Sequence, residues 1–120
     1  MATILIADDS PSETALMTRV VQDMGHHIFA VTNGEECLEM AEKMKPDLIL
    51  LDVVMPHLDG FSTCRKLKKN EATSTIPVIL VTSKGGESDQ FWGERQGASA
   101  YIVKPFDPVG LRDTIKKFVA

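Results

Sequence analysis

At 120 residues the chain has the length of one domain, enough to bury roughly two-thirds of its unfolded surface. A hydrophobic content of 43%, a charged content of 25% and a net charge of −4 mark a soluble globular protein. The absence of any Lys/Arg run argues against a nucleic-acid surface, and no stretch approaches the ~20 apolar residues of a membrane span.

The first apolar run, Thr3-Ile4-Leu5-Ile6-Ala7, has strand length and closes on Asp8 and Asp9. Ser10-Pro11-Ser12-Glu13 then predicts a helix start, with Ser10 as cap, Pro11 at the first helical position and Glu13 completing a capping box. The helix carries Ala15, Leu16, Val20 and Met24 and stops at Gly25. The paired His26-His27 reads as a surface turn and strand start, not a ligand pair, and His27 to Val31 reads as the second strand. Asn33 caps the next helix, with Glu36 at the capping-box position and Cys37, Leu38, Ala41 and Met44 as its apolar stripe. Lys45-Pro46 ends it. Asp47-Leu48-Ile49-Leu50-Leu51 forms a third strand closed by Asp52, and the segment from Val53 to Gly60 is a loop punctuated by Pro56 and Gly60.

Phe61 to Lys69 is the third helix, and Ile76 to Val81 the fourth strand, ending at Thr82. Glu87 to Gln96 is a fourth helix stopped by Gly97. Ala100 to Val103 makes a short fifth strand, followed at once by Lys104-Pro105, and Asp107-Pro108 caps a last helix running to the C-terminus. This alternation predicts an α/β fold, a doubly wound parallel sheet with helices on both faces.

The acids at the strand ends carry the chemistry. Carboxyl ends of parallel strands share one sheet edge, where ligands bind in such folds. If the first and third strands are neighbours, Asp8, Asp9 and Asp52 meet there. Two such charges at ~4 Å repel by ~4 kcal/mol with an effective dielectric of about 20, so a neutralising partner is required. A divalent cation is the natural candidate, and an all-oxygen carboxylate set suits magnesium. Cys37 and Cys64 lie too far apart for a CxxC motif. They are expected as reduced thiols in a cytoplasmic protein, since the start turns acidic at Asp8 before any signal-peptide core develops.

Asp8-Asp9, Asp52 before Met55-Pro56 and Asp59-Gly60, Thr82-Ser83 and Lys104-Pro105, in this order and each following a strand, resemble the response-regulator receiver domain. The likeness runs from Thr3 to Val119 and is greatest to stand-alone receivers of the chemotaxis type, especially those of the type IV pilus (twitching motility) pathway. The segment from Trp92 to Ala98 supports that subgroup. The resemblance implies a flavodoxin-like sheet of five strands in the order 2-1-3-4-5 with five helices. Residues 1–120 would form one receiver domain with no output domain attached. It implies that Asp52 accepts a phosphoryl group from a phosphohistidine, a carboxylate acting as covalent nucleophile. Asp9, Asp52 and the backbone carbonyl of Val54 would bind Mg²⁺ directly, and Asp8 mainly through water. Lys104 and Thr82 would contact phosphoryl oxygens, and Thr82 and Tyr101 would form the switch.

The implied partners are a histidine kinase of the chemotaxis (CheA-like) type, or its phosphotransfer domain, and an output protein. The output protein would bind the face built by the fourth helix, fifth strand and fifth helix, with Phe91 or Trp92 and Lys116 near it. The chain is expected to act as a monomer, to be no enzyme beyond its own phosphoryl acceptance and hydrolysis, and to bind neither nucleic acid nor membrane. Service as a phosphate sink for a shared kinase is the alternative. Val54 and Lys84 depart from common variants of the pattern and would affect how water reaches an aspartyl phosphate. Because Lys104 is expected at the open sheet edge, Lys104→Ala should leave thermal stability nearly unchanged or raise it at neutral pH.

Two other readings are less favoured, each on particular residues. A haloacid-dehalogenase-type phosphotransferase needs a second acid two residues after its nucleophile, where Val54 stands. A flavodoxin-like cofactor binder needs a Ser/Thr/Gly-rich phosphate loop after the first strand, where Asp8-Asp9 would repel a flavin phosphate.

Overall fold

The computed structural model describes residues 1–120. Strands β1 (Thr3–Ala7), β2 (His27–Val31), β3 (Leu48–Leu51), β4 (Val78–Thr82) and β5 (Ala100–Val103) alternate with helices α1 (Pro11–Asp23), α2 (Gly34–Met44), α3 (Gly60–Lys69), α4 (Glu87–Arg95) and α5 (Pro108–Lys116). All strand pairs are parallel, in the order β2-β1-β3-β4-β5. Side chains of a strand point alternately to opposite faces, so each central strand feeds two cores. Leu5, Ile49, Leu51, Val78 and Leu80 pack with Cys37 and Ala41 of α2 and Cys64 and Leu67 of α3. Ile4, Ile6, Leu50, Ile79 and Val81 face the other way, onto Met17 and Val21 of α1 and Leu111 and Ile115 of α5. Coverage on both sides is why these strands read as unbroken apolar runs rather than alternating ones.

Several local expectations shift. In α1 the buried residues are Met17 and Val21, with Val20 and Met24 half-buried, while Ala15 and Leu16 are exposed. Helical spacing puts positions 17, 20, 21 and 24 on one face, and Ala15 and Leu16 fall outside it. The Ser10 hydroxyl accepts from the Glu13 amide, but the Ser10 amide donates to Asp8 Oδ1 at 2.9 Å, so Glu13 does not complete the box. Glu36 likewise accepts from the backbone amide and hydroxyl of Thr32 and from the Asn33 side-chain amide, but not from the Asn33 backbone amide. β4 begins at Val78, two residues later than expected, since Pro77 has no amide to donate and offers only its carbonyl, to Ile49. α3 starts one residue early, at Gly60, and the Asp59 carboxylate caps it by accepting from the Ser62 amide at 2.8 Å. α5 stops at Lys116. His26 is buried rather than on the surface, and its Nδ1 accepts from the Ala2 amide at 2.9 Å.

Gly60 fixes how the loop after β3 returns. Its amide donates to the Val53 carbonyl at 2.8 Å. A methyl group there would lie 2.1 Å from the Asp52 carbonyl oxygen and 2.6 Å from the Val53 Cα. Both neighbours are backbone and cannot rotate away. Gly60→Ala is therefore expected to destabilise the protein by about 3 kcal/mol, at the upper end of overpacking effects. A urea unfolding midpoint equal to wild type would contradict this placement of the loop against β3.

Candidate functional site

Asp8 and Asp52 extend strands whose last residues, Ala7 and Leu51, are register partners. The Asp8 amide donates to the Val31 carbonyl and the Asp52 amide to the Ala7 carbonyl at 2.9 Å, so main-chain bonds fix the acids side by side. Asp8 is 1% exposed, Asp52 is buried and Asp9 is open to solvent. Carboxylate oxygens of the three lie within 4.8 Å of one another. The sheet edge thus brings together the acids expected there.

Lys104 is the counter-charge. It follows β5, whose Val103 pairs with Thr82, and its amide donates to the Thr82 carbonyl at 2.8 Å. Its Nζ reaches across the edge to Asp8 Oδ2 at 2.6 Å and Asp52 Oδ2 at 3.3 Å, with only 9% of the side chain exposed. Burial pushes the Asp8 carboxyl above its ordinary value, and the hydrogen bond from Lys104 works against that rise. Burial pulls the Lys104 ammonium down, but its bond to Asp8 and the charge of Asp52 outweigh this and leave it raised. Lys104 is therefore held as a cation between two carboxylates.

The remaining oxygens are also engaged. Asp8 Oδ1 accepts from the Ser10 amide, and Asp52 Oδ1 accepts from the Val54 amide at 3.3 Å. Val54, on the loop after β3, is 52% exposed. Thr82 is fully buried, and its hydroxyl oxygen accepts from the Lys84 amide at 3.3 Å, which leaves the hydroxyl proton free to donate. Tyr101 is half-buried, and its hydroxyl donates to the Lys84 carbonyl at 2.5 Å. Burial raises the Tyr101 phenol to about 12, helped by the charges of Asp89 and Asp52.

Among the partners not foreseen from sequence are the Ser10 amide on Asp8 and the Lys84 carbonyl on Tyr101. The first carried a signal, because an Asp two residues before an amide favours an Asx-type turn. A backbone carbonyl has no such signature. The donors fit magnesium: three carboxylates, one of them open to water, with no soft ligand near, suit a hard cation that keeps several waters. Cys37 and Cys64 are buried on the α2–α3 side and belong to the core. Burial raises their thiols to about 12 and about 11 respectively, as expected of inert packing residues.

A family model described as the response regulator receiver domain matches residues 4–116. Protein PilH of Pseudomonas aeruginosa is 46% identical over 120 residues, covering all of this chain and 99% of that one. Response regulator PleD of Caulobacter vibrioides is 40% identical over 110 residues, and those span 92% of this chain but only 24% of that protein. Among solved structures, Vibrio cholerae chemotaxis protein CheY4 superposes with a TM-score of 0.92 at 29% identity, covering 99% of each chain. The receiver domain of a Pseudomonas aeruginosa sensor histidine kinase, solved with a magnesium ion coordinated in its active-site cleft, gives a TM-score of 0.90 at 26% identity. That match covers 98% of this chain and 96% of the other.

Proposed function

Because the chain belongs to the response-regulator receiver family, we propose that it is a phosphorylation-controlled switch of a two-component system whose acceptor is Asp52. One observation carries this reading: the Asp52 carboxylate sits at the sheet edge 3.3 Å from the Lys104 ammonium and within 4.8 Å of Asp8 and Asp9. An Asp52 oxygen attacks the phosphorus of a phosphohistidine on a histidine kinase. The phosphorus–nitrogen bond breaks, the imidazole leaves, and a mixed anhydride remains on Asp52. Such a transfer needs positioning and charge neutralisation more than proton movement.

Asp52 is already oriented by the Val54 amide. Lys104 lies beside the oxygen that reacts or its twin, and as a compact cation it can follow the phosphoryl group. The Thr82 hydroxyl is free to donate to a second phosphoryl oxygen. Asp8, Asp9, Asp52 and the Val54 carbonyl would hold Mg²⁺, which when bound supplies the positive charge that the transferred group gathers around.

The output surface of this reading is the face of α4, β5 and α5. Phe91 and Trp92 of α4 stand largely exposed there, Trp92 at 51%. Likeness to PilH supports a place in pilus or chemotaxis-like signalling, with a CheA-like kinase as donor. Differential interaction of about 5.5 kcal/mol moves a switch from 1:99 to 99:1. A new charge-assisted bond from Thr82, at roughly 1.5–3 kcal/mol, supplies part of that, and Lys104 adds only the difference between the phosphoryl group and its present partners Asp8 and Asp52.

Addition of Mg²⁺ and beryllofluoride, a phosphoryl mimic, tests this. Backbone amide shifts should extend from Thr82 through Tyr101 into α5, and the fluorescence of Trp92, the only tryptophan, should change. Perturbations confined to residues touching Asp52 would make the domain a phosphate sink instead of a transmitting switch.

A further inference from the structure

Helix α4 meets the sheet in an unusual way. Its only buried residue is Gly93, while the two aromatics just before it, Phe91 and Trp92, face outward. Glycine is a poor choice for a helix interior, because it loses the most backbone freedom and packs nothing. The cause lies beneath it. A methyl group on Gly93 would stand 2.9 Å from Cδ2 and Cε2 of the Tyr101 ring and 2.9 Å from Leu80 Cδ1. The ring of Tyr101 therefore rests directly on the backbone of α4, in space any other residue would fill. From this seat its hydroxyl reaches the Lys84 carbonyl, in the loop that leads from Thr82 to α4.

We infer that Gly93 is a positioning residue for Tyr101: its missing side chain forms the seat that holds the ring against α4 and lets the hydroxyl grip the loop after Thr82. The seat itself does not depend on phosphoryl chemistry; its signalling consequence rests on the receiver reading. With Tyr101 seated, a movement of the Thr82–Lys84 segment is transmitted to α4 through one ring. Filling the seat expels the ring and cuts that connection. Leu80 presents only a terminal methyl, which can rotate away, whereas the rigid ring must leave as a unit.

Gly93→Ala in wild type and in a Tyr101→Ala background tests the seat by a double-mutant cycle. Alanine favours the helix, so where the ring is absent Gly93→Ala should raise the melting temperature. With the ring present it should lower it. Tyr101 is the only tyrosine, so fluorotyrosine incorporation gives a single fluorine resonance that reports the ring alone. That resonance should move on Gly93→Ala and should lose most of its wild-type response to Mg²⁺ and beryllofluoride, while Asp52 still accepts phosphate. An effect of Gly93→Ala on melting that has the same sign and size in both backgrounds overturns the seat. So does a fluorine resonance that keeps its wild-type position and response. Failure of the receiver reading shows separately, as wild-type protein that takes no phosphoryl group while the melting cycle still reports on the seat.

Discussion

Lys104→Ala lowers the stability of the metal-free protein by about 2–3 kcal/mol at pH 7, just below the usual range for breaking a buried ion pair because Asp9 opens the site to water. The sequence alone predicts almost no effect or a gain, on the expectation of a lysine at an open edge. The geometry reverses that. The Lys104 side chain is 9% exposed and the Asp8 side chain not at all, so truncation strands a buried carboxylate beside Asp52. The pH dependence has a definite sign. The Asp8 carboxyl already lies above its ordinary 3.8 through burial, and without Lys104 it rises further. A raised carboxylate contributes stability when protonated and loses it as pH climbs through its folded-state value. The deficit of the variant should therefore be small in mild acid and grow toward neutrality. In wild type the Lys104 contribution is present below 10.5, and the raised ammonium gives it up only in more alkaline solution. Urea midpoints of both proteins across this range check the account. A deficit that is constant with pH would remove the ion pair from the explanation.

Removing magnesium is expected to have the second large effect. An ion that binds the folded cluster and not the unfolded chain would, at a hundredfold excess over its dissociation constant, add about 2.7 kcal/mol of stability. A chelator should return the melting temperature to its metal-free value and stop phosphoryl acceptance at the same time. Asp9→Asn should remove most of the stabilisation by magnesium, because Asp9 is the solvent-facing carboxylate of the cluster proposed to hold the ion. Magnesium should also restore most of the stability lost in Lys104→Ala, since either cation relieves the repulsion between Asp8 and Asp52. Calorimetry and thermal melts with and without the ion read all of this. Calcium stabilising the protein more strongly than magnesium would point to a different donor set.

Strand ends proved the most legible part of the chain. Asp8-Asp9, Asp52, Thr82 and Lys104 each close an apolar run, and parallel pairing puts such positions at one edge, so their meeting there was legible from the sequence. Helix phase was less legible. In α1 the residues Ala15, Leu16, Met17, Val20 and Val21 offer overlapping stripes, and only packing against β1 and α5 decides that Met17 and Val21 turn inward. His26 shows the same limit, because its burial depends on the Ala2 amide, which lies far from it in sequence. The depth of Lys104 was illegible for a similar reason: a lysine after a strand looks solvated until the carboxylates it reaches are placed. Gly93 stood in plain view, yet nothing in a sequence says that an aromatic ring from the next strand occupies the space above it.

The central claim is that Asp52 is the phosphoryl acceptor, and labelling with a small-molecule phosphodonor tests it most directly. With Mg²⁺ present, wild type should gain the mass of one phosphoryl group, and peptide mapping should place it on Asp52. Asp52→Asn, which keeps the shape and removes the charged nucleophile, should gain none while unfolding at least as late as wild type, since it relieves repulsion with Asp8 and Asp9. Labelling of Asp52→Asn at the wild-type level would contradict the account.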